Sequence, residues 1–182
     1  MRRLLIALLC LVPGTYTLAQ DDTLAGVSSL KVDLEQVVEI GTVSPVDGVT
    51  SAGQPDEAAL ECFADAGYVA VIDIRGPDVE RGRDEASLLE EMGMYYVSFP
   101  IEGKSAISFE NARKLDALID EHDGPVLVHC GSGNRVGALL ALRESLAGAD
   151  DDAAIALGKE GGLTRLEDVV RERLEEGEAQ AE

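Results

Sequence analysis

The sequence predicts an α/β domain of three layers, built on a mostly parallel sheet of four or five strands. Three stretches predict it. The run Val69 to Ile74 is apolar with little alternation, as expected of a strand covered on both faces. It follows a helical pattern carrying Leu60, Phe63 and Ala66 and ended by Gly67, so strand, helix and strand alternate. Finally, Val126-Leu127-Val128 breaks into a loop holding Gly131 and Gly133, and that loop leads into the apolar helical run Ala138 to Leu146.

At the N-terminus, Arg2 and Arg3 precede an apolar stretch from Leu4 to Val12, and Thr17-Leu18-Ala19 places small residues before a cut after Ala19. Residues 1–19 therefore read as a secretory signal peptide, which predicts a periplasmic or secreted protein. The stretch is shorter than the roughly 20 residues a membrane span needs. Leu9 before Cys10 is too large for a lipidation site, so no membrane attachment is expected after cleavage. Removal of Arg2 and Arg3 from 15 basic residues leaves 13 against 35 acidic ones, moving the net charge from −20 to −22. Such a surface repels nucleic acid and anionic membranes, so any anion must be held locally. With Cys10 removed, Cys62 and Cys130 remain, which is no disulfide framework. Cys62 as a resolving partner for Cys130 is a minor alternative.

Residues 20–44 are polar and weakly patterned and read as an arm, with Asp33 to Ile40 a short helix or strand. The domain is expected over 45–175, with an acidic, frayed tail at 176–182. A strand from Val46 to Ala52 is followed by a helix opened by Pro55 at its first position. Arg75 to Asp84 is a charged loop at a strand's C-terminal edge, where open α/β sheets bind ligands. Arg75 there is read either as an anion contact or as an ion pair with Asp78 or Glu80. A short helix spans Glu85 to Met92, and a strand Tyr95 to Phe99. Ser108 caps a helix with Ala112, Leu115, Leu118 and Ile119 on one face. His122 reads as structural. After Leu146, Asp150 or Asp151 caps a helix through Leu157, and Thr164 with Glu167 forms a capping box for the last helix. No metal-ligand cluster or dinucleotide fingerprint is apparent.

The chemistry concentrates at His129-Cys130-Gly131-Ser132-Gly133-Asn134-Arg135-Val136-Gly137. A strand that enters a glycine loop and leaves as a helix turns backbone N–H groups inward at a helix N-terminus, a ready anion site. Cys130 stands at the strand's end and Arg135 at the helix's start, so a thiol and a guanidinium face the same anion. Thiolate is the nucleophilic form, and a helix N-terminus and a nearby cation favour it. Gly131 and Gly133 permit a tight loop, while Arg135 offers a planar fork to two oxyanion oxygens. His129 is expected to orient the loop through backbone contacts.

His-Cys, a glycine loop and Arg resemble the signature of the cysteine-dependent protein-tyrosine and dual-specificity phosphatases. Within that superfamily the chain is most similar to the phosphatase-like domain of bacterial beta-lactamase-hydrolase-like proteins. The resemblance runs through Ser51-Ala52-Gly53-Gln54-Pro55, Ala66 to Arg75, Phe99-Pro100 and the Cys130 loop, about residues 45 to 146. It implies a phosphatase-like fold and hydrolysis of a phosphomonoester through a phosphocysteine. Cys130 is then the nucleophile, and Arg135 with Gly131, Ser132, Gly133, Asn134, Val136 and Gly137 binds the phosphate. Glu102, in the loop after the corresponding strand, is the general acid, where those enzymes normally use Asp. No metal or other cofactor is implied, and the partner is a small phosphorylated substrate or a phosphoprotein.

Two features keep rivals open. Cys130 and Arg135 enclose four residues where most of these phosphatases have five, and Val136 stands where they place Ser or Thr. The shorter loop also resembles that of rhodanese-like sulfurtransferases, with a persulfide on Cys130. A noncatalytic phospho-ligand binder is the third reading.

Overall fold

The computed structural model describes residues 30–45, 49–77, 79 and 84–181, with side chains as far as residue 177. The signal-peptide expectation for residues 1–19 lies outside the described residues. Among them, no helix is long and apolar enough to cross a membrane.

Four strands form one parallel sheet: β1 (Val49–Ala52), β2 (Ala70–Asp73), β3 (Tyr95–Ser98) and β4 (Val126–His129), in the order β1-β4-β2-β3. Register aligns Ala52 with His129 and Asp73 with His129, so the C-terminal ends of three strands meet at one edge. β1, β2 and β4 are buried throughout, which is why β2 and β4 run largely apolar without alternation, while the buried hydroxyls of β1 are bonded, Thr50 to Tyr68 and Ser51 to the Gly161 carbonyl. β3 lies at the sheet's edge and is half exposed; its Tyr95 stacks on His122 with ring centroids 5.4 Å apart. Beyond β1, Lys31 adds a parallel bridge to Ser51.

Successive strand residues point to opposite faces and divide the core in two. Ala70, Ile72, Val126, Val128 and Cys130 pack toward α4 (Phe109–Asp120), α5 (Asn134–Leu146), α6 (Asp151–Glu160) and α7 (Glu167–Ala181). Val71 and Leu127 pack the other way, with α2 (Glu57–Asp65) and α3 (Glu85–Glu91). α1 (Leu34–Ile40) rests on α2, and Cys62 of α2 sets its sulfur 3.8 Å from the Val37 carbonyl. The sheet thus separates Cys62 from Cys130, which removes the resolving-cysteine alternative. The three layers are those the sequence predicts.

Several boundaries moved for local reasons. Asp33 accepts from the amides of Glu35 and Gln36, which makes the arm's ambiguous segment a capped helix. Pro55 is not the first helical residue, because Asp56 is the cap and accepts from Ala59 at 2.9 Å. The α6 helix runs past Leu157 to Glu160, opened by Asp150. Thr164 forms no capping box: its hydroxyl donates to Asn134 Oδ1 at 3.1 Å. The segment expected to fray continues α7 to Ala181.

Candidate active site

β4 lies between β1 and β2, and its last residues open onto the sheet's C-terminal edge, where neighbouring connections leave on opposite faces. Such a switch point creates a crevice. Cys130 follows the strand, is 1% exposed, and donates its amide to the Ala52 carbonyl at 3.5 Å. The loop then turns outward, with Gly131 and Ser132 exposed and Ser132 bridged antiparallel to Gly53.

Gly133 caps α5 with a left-handed φ of 81°, a conformation that glycine adopts freely, and provides no capping side chain. The first intrahelical bond runs from Gly137 N–H to Gly133 O at 2.8 Å. The amides of Asn134, Arg135 and Val136 consequently have no acceptor within the helix, which leaves the helix's partial positive charge directed at the loop.

Arg135 is half-buried on the first turn of α5. Its Nη1 donates to the carbonyls of Ile74, at 3.4 Å, and Ile101, at 3.2 Å. Those carbonyls follow β2 and β3, so one guanidinium ties the loops after both strands to the cysteine loop. Ile101 N–H donates to Ile74 O at 3.1 Å, closing the same junction. Glu102, next to Ile101, is exposed, and its carboxylate lies against the α-carbon of Gly76. A residue with a side chain at Gly76 would occupy that space.

The remaining residues expected to bind phosphate divide. Asn134 is 8% exposed, and its Oδ1 accepts from Thr164 N at 2.8 Å and Leu166 N at 3.4 Å, so its side chain anchors the approach to α7. The Val136 side chain is fully buried in the core. Gly137 offers the cradle nothing, since its amide is taken by Gly133; its role is close packing, because a Cβ there would overlap Leu163 N and the Gly158 carbonyl. Asn134 and Val136 can contribute only their backbone amides.

Under the loop's entry lies a buried polar network that the sequence reading missed. Arg75 donates to Asp73 through Nε at 2.8 Å and through Nη2 at 2.8 Å, and its Nη2 also meets Glu85. Glu85 Oε1 lies 2.8 Å from His129 Nε2, and Tyr96 donates to Asp73 Oδ2 at 3.1 Å. Among the described residues Arg75 therefore pairs with Asp73 and Glu85, the Asp78 and Glu80 alternatives lying outside them, and, fully buried, it does not reach an external anion. His129 orients the loop through its side chain as well as its carbonyl, which accepts from Ile74 N at 3.0 Å. Burial would raise the Asp73 carboxyl, but hydrogen bonds from the Arg75 side chain and backbone outweigh it and hold it well below the usual carboxylate range. Burial first, and then the Asp73 charge, push the Tyr96 hydroxyl up.

Asp73, Glu85 and His129 bring one ligand atom each within 4.8 Å of one another, a convergence the sequence did not suggest. The Arg75 guanidinium already lies between the two carboxylates, so this donor set fits an organic cation held in place. The available signal was Asp73-Ile74-Arg75, an acid and a base two residues apart at a strand's end, where the Asp side chain also accepts from the Arg75 amide at 2.9 Å.

A family model described as DSP-PTPase phosphatase fused to NAD+ kinase matches residues 43–168. The chain belongs to this family. Over 118 residues it is 35% identical to a beta-lactamase hydrolase-like protein of Xylella fastidiosa, covering 62% of this chain and 27% of that protein. The aligned stretch thus spans about a quarter of that relative's length. Among solved structures, a protein of Neisseria meningitidis Z2491 provisionally assigned as a phosphatase superposes with a TM-score of 0.62 at 25% identity, covering 72% of this chain and 94% of its own. P. aeruginosa TpbA, solved in complex with pTyr, gives 0.51 at 19% identity over 69% of this chain and 77% of its own, which is a likeness of fold. The phosphatase-like fold and the family expected from the Cys130 signature are those found.

Proposed function

We propose that this DSP-PTPase family member is a cysteine-dependent phosphatase that hydrolyses a phosphomonoester through a phosphocysteine. The observation that carries the reading is Arg135, fixed by the Ile74 and Ile101 carbonyls at the start of a helix whose first amides lack acceptors, one short loop from Cys130. The Cys130 thiolate attacks phosphorus, forming S–P as the bond to the leaving oxygen breaks. Glu102 gives that oxygen its proton, then takes one from the water that displaces the thiolate. The amides of Gly131 through Val136, with Arg135, hold the equatorial oxygens. Every one of these roles falls to this chain's own side chains and amides. TpbA's complex with pTyr supports a small phosphorylated substrate or a phosphoprotein as the class. The charge pattern of residues 1–19 supports action in the periplasm or outside the cell.

The test pairs an aryl phosphate in one assay with thiosulfate and cyanide in another, with Cys130→Ala as blank for both. Phosphate release abolished in Cys130→Ala, and exceeding thiocyanate formation, is expected. Thiocyanate without phosphate release would make the protein a sulfurtransferase, and silence in both with oxyanion binding retained would make it a binding module.

A further inference from the structure

A basic side chain from outside the segment that matches the family also reaches the cysteine loop. Residues 30–32 run beside β1: Ser51 N–H donates to Leu30 O at 2.5 Å, and Val32 N–H donates to Ser51 O at 2.9 Å. This pairing fixes Lys31 at the sheet's outer margin. From there its stem crosses two glycines with left-handed backbone, Gly133 at φ 81° and Gly162 at φ 101°. A Cβ on Gly133 would stand 3.2 Å from Lys31 Cε, and one on Gly162 3.0 Å from its Cδ, so both glycines make room for the stem. At its end, Nζ donates to the Ser132 carbonyl at 3.3 Å.

In a trans peptide the carbonyl and the following N–H point in opposite directions, and no described peptide bond is cis. A Ser132 carbonyl turned outward to Lys31 therefore turns the Gly133 N–H inward, toward the side of the loop that joins Cys130 to Arg135. Glycine lets such a peptide flip at little cost. Flipped, the same unit would present carbonyl oxygen to a bound anion. We propose that Lys31 is a positioning residue of the phosphate cradle, holding the Ser132–Gly133 peptide in its anion-binding orientation. The inference rests on the phosphatase reading of the loop. Its surroundings sharpen the effect: the cavity of about 1080 Å3 beside Lys31 is also lined by Asp33, Glu35, Glu39 and Asp56, so this flank without the ammonium is anionic.

The test uses the full chain with Lys31→Met, which keeps the stem, Lys31→Arg, which keeps the charge, and Arg135→Lys as a control for the loop itself. Tungstate affinity is titrated by calorimetry, with the Gly133 amide resonance followed in parallel, alongside kcat and KM for an aryl phosphate. Loss of a charge-assisted hydrogen bond in Lys31→Met is expected to weaken tungstate about tenfold, about 1.4 kcal/mol, with Lys31→Arg within about threefold of wild type. The loss should fall on KM and tungstate affinity more than on kcat, and the Gly133 resonance should no longer respond to tungstate in Lys31→Met. If Arg135→Lys weakens tungstate and Lys31→Met does not, the role of Lys31 is wrong and the phosphatase reading stands. If neither substitution alters tungstate binding, the loop is not the anion site and both readings fall. An inactive wild type that still binds tungstate in a Lys31-dependent manner would remove the phosphatase reading and keep the cradle.

Discussion

Glu85, in the first turn of α3, places Oε1 2.8 Å from Nε2 of His129, the residue that precedes the cysteine. A helix on one face of the sheet thereby holds the start of a loop whose cysteine packs on the other face. The same carboxylate meets Arg75, so its removal leaves a buried guanidinium and a buried imidazole short of a partner. Glu85→Ala is expected to destabilise the fold by about 3–5 kcal/mol, the usual consequence of breaking a buried pair. Chemical denaturation monitored by circular dichroism measures this; a loss under about 0.5 kcal/mol, the scale of a surface change, would show that the network is not structural.

Asp73 imposes a pH dependence. Its folded carboxyl is held below the unfolded value of about 3.9. A depressed carboxyl contributes its stability fully above the unfolded value and loses it as pH falls toward the folded one. The unfolding free energy of the wild type should therefore drop steadily below about pH 4. Asp73→Asn should be less stable at neutral pH and show a shallower acid slope. Parallel slopes for the two proteins would remove Asp73 as the source.

Gly76 tests the assignment of Glu102 without touching it. A methyl group there would displace the Glu102 carboxylate, the far end of a flexible side chain, with Cδ 3.2 Å from the new atom and the backbone unaffected. Gly76→Ala is expected to keep its stability within about 0.5 kcal/mol while losing about tenfold or more in turnover of alkyl phosphates, whose poor leaving groups need the proton. Aryl phosphates with good leaving groups should suffer less. Equal losses on both substrate types would argue against Glu102 as the acid.

Asn134 illustrates a residue whose position in the loop and whose side-chain role differ. Its Oδ1 accepts from Thr164 N, Thr164 Oγ1 and Leu166 N. Asn134→Ala leaves those donors without that acceptor and is expected to lower stability by about 1–3 kcal/mol, read as a shift in urea midpoint at constant slope. An unchanged midpoint would mean that water replaces the amide freely.

The sequence by itself determined the layers, the parallel sheet and the identity of the cysteine loop. Each of these is written in local pattern. The runs Val69 to Ile74 and Val126 to Val128 are apolar on both faces because both faces are covered, and Cys130, two glycines and Arg135 are contiguous in the chain. Caps on Ser108 and Asp150 are local too, since each side chain meets an amide three residues away. What only the tertiary structure decided depends on contacts between distant residues. Arg75 is separated from its partner Glu85 by a charged loop, and nothing in the spacing singled out Glu85. His129 finds Glu85 across 44 positions, and Arg135 finds Ile101 across 34, through sheet register rather than sequence proximity. Lys31 lies 101 residues from the Ser132 carbonyl and is brought to it by a single bridge to β1. Side-chain direction on a helix was likewise invisible at the loop's end: Val136 and Gly137 look like cradle residues in the sequence, but the helical turn that begins at Gly133 points one into the core and closes the other's amide.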